Sequence, residues 1–169
     1  GKVGGGFGLD GSNEFEIPHC PEFNSEHFTL DFRAFIPTEY KDATKASPWL
    51  VCKSLNENVD GNYGITFANG KAVARMNFGV GVEHQIAITS SRDLKFDECN
   101  HFSLSYDGLN LNFYQNGQAV GKAKIGKPMT LESRTLVFGR RADNHGDGRH
   151  FIGVIDEVQY FNKTLTPRQ

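Results

Sequence analysis

The sequence predicts an all-β protein whose strands pack as two sheets or a barrel. Three observations carry that expectation. Apolar and polar residues alternate with period two in one stretch after another. Strand aromatics and turn residues are plentiful and good helix formers scarce: Phe (14) outnumbers Leu (11) and Ala (10), beside 19 Gly and 13 Asn. No helical periodicity lasts more than a turn or two, which excludes an all-helical protein.

The elements follow in chain order. Glu14–Ile17 reads as a short opening strand. In Phe28–Ile36, Phe28, Leu30, Phe32, Ala34 and Ile36 share one face, with Thr29, Asp31, Arg33 and Phe35 on the other. Trp49–Lys53, Tyr63–Ala68 and Lys71–Phe78 come next, the last two joined by the tight turn Asn69-Gly70. Glu83–Thr89 precedes a meander in which Phe102, Leu104 and Tyr106 oppose Ser103 and Ser105. After Asp107-Gly108, Leu109, Leu111 and Phe113 share a face, and Asn116-Gly117 supplies a type I′ hairpin turn. Thr135–Phe138 and Ile152–Phe161 close a set of about ten to twelve strands.

A chain of 169 residues fits one domain, taken as 1–169. Its net charge of −2 lacks the clustered basic excess that nucleic acid demands. No apolar run approaches the roughly 18 residues of a membrane span, and no signal peptide is visible. Cys20, Cys52 and Cys99 allow at most one internal disulfide and match no zinc spacing, so they read as small core residues.

Three segments together resemble the laminin G-like branch of the concanavalin A-like lectin/glucanase superfamily. Phe7-Gly8-Leu9-Asp10-Gly11 leading to Ile17-Pro18 is similar to its opening, and Phe28–Ile36 to its long strand. Cys99-Asn100-His101-Phe102-Ser103-Leu104-Ser105-Tyr106-Asp107-Gly108 is similar to its central strand, with Cys99 where a Trp is usual. Phe151–Phe161, followed by Leu165 and Thr166, is similar to its closing run. The resemblance implies a jelly-roll sandwich of two curved antiparallel sheets, with the first and last strands side by side.

Some relatives with this fold cleave glycans through the pattern Glu-Ile-Asp-x-Glu, whose alternation points both Glu into one cleft. Here Val154 and Val158 occupy those positions, and alternation places Glu157 opposite Asp156. Glu14 and Glu16 share a face but read as a solvated edge. No nucleophile elbow, zinc-protease helix or phosphate loop is present, so a non-catalytic protein is expected.

The resemblance also brings Asp10 and Asp156 to one junction, where two carboxylates suit a structural calcium ion. The densest polar cluster, Arg140 to His150, holds Arg140, Arg141, Asp143, His145, Asp147 and Arg149. Such a loop on a rigid sandwich suits recognition, since Arg and Asp grip hydroxyls and Arg takes anions in bidentate fashion. Alternatively Asp143 and Asp147 bind a cation, and His145 alone is not a ligand. Tyr63, after the polar turn Asn56-x-Asn58-x-Asp60-Gly61, is placed on a binding edge. Arg75 and Asn77, turned outward near Gln85, form a polar floor on a concave sheet. Trp49 reads as either buried or a sugar-stacking platform. The expected function is non-catalytic binding of glycan or polysaccharide through rim loops, as a module of a larger secreted or cell-surface protein. The alternative is a protein-interaction or adhesion module.

Overall fold

Each alternating stretch forms a strand, and the apolar halves of the strands meet in a single core. The computed structural model describes residues 5–41, 47–143 and 150–166. Among them are twelve strands: β1 (Phe7–Asp10), β2 (Phe15–Ile17), β3 (Phe28–Ile36), β4 (Trp49–Lys53), β5 (Tyr63–Ala68), β6 (Lys71–Asn77), β7 (Gln85–Asp93), β8 (Glu98–Tyr106), β9 (Asn110–Gln115), β10 (Gln118–Lys124), β11 (Leu136–Phe138) and β12 (Ile152–Phe161). They form two six-stranded sheets, in the orders β1-β12-β3-β8-β9-β10 and β2-β11-β4-β5-β6-β7. Every pairing is antiparallel. This is a jelly-roll sandwich, with β12 inserted between β1 and β3. Among the described residues, no helix is long and apolar enough to cross a membrane.

The core lies between the sheets. Phe28, Leu30, Phe32, Ala34 and Ile36 of β3 are fully buried, as are Phe102, Leu104 and Tyr106 of β8. They face Leu50, Val51, Ile65, Ala74 and Met76 of the second sheet. Aromatic rings bridge the layers: Phe28 stacks on Tyr63 at 4.5 Å, and Phe32 meets Phe138 edge-on at 5.6 Å. Burying each such side chain contributes about 1.5–3 kcal/mol. Both expected hairpin turns form, with positive φ at Asn69 (52°) and Gly70 (73°) and at Asn116 (51°) and Gly117 (74°).

Irregularities move residues off the faces that strict alternation assigns. A bulge at Leu50 turns both Leu50 and Val51 into the core. A second bulge lies between Asp156 and Gln159, with Glu157 in the left-handed region at φ 51°. It overturns the expectation that Glu157 points away from Asp156. Asp156 stands opposite Arg33, and the Glu157 carboxylate accepts a hydrogen bond from the same arginine, so both acids face outward. The strand expected over 83–89 starts instead at Gln85 and runs on to Asp93.

The sheets also differ at their edges. β7 and β10 lie against each other, and a Cβ at Gly121 would come within 2.1 Å of Ile88. The opposite edges are β1 and β2, of four and three residues. Of the cysteines, Cys52 is buried as expected and Cys20 half-buried, but Cys99 is exposed, opposite Phe35 on the outer surface of β8. All three are free thiols.

Gly64 touches the only tryptophan. A Cβ there would lie 2.2 Å from the Val51 carbonyl oxygen and 2.7 Å from the Trp49 ring. Gly64→Ala is therefore expected to destabilise the fold by about 1–3 kcal/mol in urea unfolding and to shift the Trp49 emission to longer wavelength. Burial pushes the Cys52 thiol up to about 12, the Tyr160 phenol up to about 12 and the Tyr63 phenol well above 10. Each group keeps its proton longer in the folded chain than in the unfolded one. The stability this gives is complete below the unfolded values and is lost as pH rises through the folded ones. The urea midpoint should fall steadily between about pH 9 and about pH 11.

Candidate functional site

The outer face of the second sheet carries the groups that alternation turns away from the core. Across β4, β5 and β6, Trp49 stands opposite Thr66, and Gly64 opposite Arg75. Gln85 enters at the start of β7, opposite Asn77. Arg75 is the hub: its Nε donates to Thr66 Oγ1 at 3.0 Å and its Nη1 to Gln85 Oε1 at 2.8 Å. With both bonds made, the guanidinium is held flat and aimed, so little side-chain entropy is lost when it meets a ligand. Trp49, Glu57, Thr66, Arg75, Val82 and Gln85 line a hollow of about 250 Å³ here. Gln85 Nε2, in that wall, is a buried donor without a hydrogen-bond partner among the described residues. A cation, a hydroxyl, an amide and a carboxylate around one hollow can bind a polyol by exchanging several hydrogen bonds at once.

Other residues proposed from sequence have structural work. Tyr63 is buried in the core against Phe28, so it forms no binding edge. Asn77 does not face solvent: its Nδ2 donates to the Glu57 and Gly81 carbonyls at 2.6 and 3.0 Å, clamping the turn beside the hollow. Trp49 is only 1% exposed and borders the hollow without presenting a stacking surface.

Arg140 and Arg141 are buried, not displayed. Arg140 Nη2 donates to Glu14 Oε1 at 3.1 Å and to Glu16 Oε1 at 2.9 Å, and its Nη1 to the Arg141 and Ala142 carbonyls. Glu14 and Glu16 are thus anchors for the edge strand β2, not a solvated edge. Arg141 Nε donates to Asp143 at 2.7 Å and its Nη1 to Glu57 at 3.3 Å, while Asn56 Nδ2 donates to Asp143 Oδ2 at 2.9 Å. The loop between β4 and β5 and the segment after β11 are therefore tied to each other through Arg141 and Asp143. His145, Asp147 and Arg149 lie outside the described residues.

The calcium pair does not assemble. Asp10 stands opposite Ile152, four positions along β12 from Asp156, which at the strand repeat is about 13 Å. Asp10 instead accepts hydrogen bonds from the Ser12 hydroxyl and amide and from the Asn13 amide, which hold its carboxyl below the usual range. Asp156 Oδ1 accepts from the Glu157 amide at the bulge. Among the described residues no group of three His, Cys, Asp or Glu could hold a metal. These two carboxylates therefore do not fit a shared ion.

Thr66 and Glu57 were not foreseen. The signal for Thr66 was present, since Gly64 and Thr66 alternate with the apolar Tyr63, Ile65 and Phe67. Glu57 gave no such signal, because its place depends on how the loop folds back over the sheet.

Fold and hollow together define a lectin-like sandwich. The chain belongs to the concanavalin A-like lectin/glucanases superfamily, whose family model matches residues 9–169. No curated protein matches it in sequence. Among solved structures, it resembles domain 4 of a GH43 extracellular arabinanase from Geobacillus stearothermophilus, solved with arabinotriose. That match has 16% identity and a TM-score of 0.73, covering 100% of this chain and 76% of that one. The binding domain of Paraclostridial Mosquitocidal Protein 1 is similar at 15% identity and TM-score 0.74, covering 95% of this chain and 40% of that one. A carbohydrate binding protein, described as putative, from Bacteroides ovatus is similar at 16% identity and TM-score 0.69, covering 94% and 44%. The chain thus spans about two fifths of the latter two. At these identities the likeness establishes the fold.

The Arg140 clamp gives a direct test of the structural role. Arg140→Met should cost about 1–3 kcal/mol in denaturant unfolding, because it strands two carbonyls and leaves Glu14 and Glu16 side by side without a cation. A neutral effect on stability would return Arg140 to the list of ligand groups.

Proposed function

We propose that this is a non-catalytic carbohydrate-binding module of a larger extracellular protein, and that it binds glycan on the outer face of its second sheet. The observation that carries the reading is the Arg75 guanidinium, aimed by its bonds to Thr66 and Gln85 into a hollow that Glu57 also lines. Relatives in shape support it, one of them solved with arabinotriose and another described as a putative carbohydrate binding protein. The non-catalytic part rests on Val154 and Val158, which stand where a glycanase strand carries its paired Glu. Glu157 is engaged with Arg33.

A protein partner is the second reading. It is favoured by the turn between β6 and β7, where Val80 and Val82 are 78% and 58% exposed beside the hollow.

A glycan array followed by calorimetry with the best oligosaccharide, arabinotriose among those tried, decides between them. The wild-type chain should bind at least one glycan, and Arg75→Ala should weaken that binding by about tenfold or more with an unchanged far-ultraviolet spectrum. Absence of any glycan binding, with capture of a protein ligand that Val80→Asp and Val82→Asp abolish, would establish the adhesion reading instead.

A further inference from the structure

The opposite sheet carries a second hollow that the reading above leaves unused. Outward-facing residues line up there across four adjacent strands. Gln159 of β12 stands opposite Asp31 of β3, Asp31 opposite Ser103 of β8, and Ser103 opposite Tyr114 of β9. At the usual spacing between strands this row is about 14 Å long. His101, diagonal to Asp31, brings its Nε2 to 2.8 Å from Asp31 Oδ1, which fixes both the imidazole and the carboxylate. Both side chains remain more than a quarter exposed. These groups, with Phe161, line a cavity of about 230 Å³.

We propose that this cavity is a second saccharide subsite, which takes a single neutral sugar ring on the face opposite Arg75. The size argues for one ring, because hollows that enclose larger ligands run to about 300–1,000 Å³. Its lining argues for the chemistry. Tyr114 and Phe161 offer ring surface for the C–H face of a pyranose or furanose. Asp31, Ser103 and Gln159 offer acceptors and donors for hydroxyls on its rim. Among the described residues no Lys or Arg lines the cavity and a carboxylate does, so an anionic sugar is disfavoured. Next to Asp31, the Arg33–Glu157 pair occupies the neighbouring register and closes that end with charges already matched. The proposal shares the carbohydrate reading's ligand class but rests on different residues, and the two can fail separately.

The test is an amide-shift titration of the ¹⁵N-labelled chain with the methyl glycosides of glucose, galactose, mannose and arabinose. At least one should move the amides of Asp31, His101, Ser103 and Tyr114 in a saturable way. Tyr114→Ala and Asp31→Asn should each weaken that response by about tenfold, their spectra otherwise remaining folded, while Arg75→Ala leaves it intact. If none of the glycosides moves these amides, or if the movement survives both substitutions, the subsite is rejected, whatever happens around Arg75. A response here with silence at Arg75, Thr66 and Gln85 would uphold this subsite on its own residues, the first being judged by the oligosaccharide calorimetry.

Discussion

The sandwich depends on the insertion of β12 between β1 and β3. Until that strand arrives, β1 has no partner and β3 lacks one of its two. Ten residues of the chain's closing stretch thereby complete the first sheet and cover its core side with Ile155, Val158 and Tyr160. Such a long-range pairing carries a large loop-closure cost, which only the core burial it completes can offset. The bulge within β12 belongs to the same constraint. It lets the strand bend while keeping Ile155 and Val158 on the core side, and it turns Glu157 outward to meet Arg33.

Electrostatics divides the polar residues into those that hold the scaffold and those that face solvent ready for use. Arg140 and Arg141 are spent on Glu14, Glu16, Glu57 and Asp143, which fixes the loop between β4 and β5, the segment after β11 and the edge strand β2. Lys53, almost wholly buried, likewise holds Glu132 in the segment between β10 and β11. Arg75 differs. Its Nε and Nη1 are held by Thr66 and Gln85 on the outer face of the second sheet, away from the loops that Arg140 and Arg141 fasten.

The fold was legible because the period-two signal is strong and a buried face leaves little choice of register. Phe28–Ile36 and Lys71–Asn77 emerged with the faces their alternation assigns. Strand β10 was harder to see, since only Val120 of its seven residues is buried. The site was less legible, for two physical reasons. Loops fold back over the outer face of the second sheet, so Asn77 and Val73, turned away from the core, are nevertheless buried. Charge density in sequence also does not reveal whether charges are satisfied internally, and the Arg140–Arg141 cluster proved to be mortar. Arg75 and Gln85 came out side by side as expected, because their adjacency requires only correct pairing of β6 with β7.

The brevity of β1 and β2 has a further effect. These strands form the two borders not sealed by the β7–β10 seam, yet they offer only four and three residues of unpaired backbone. With Glu14 and Glu16 pulled inward by a guanidinium, a neighbouring molecule has little ribbon on which to extend a growing stack. A densely repeated display of such a domain would thus find little exposed strand through which to fuse into fibrils.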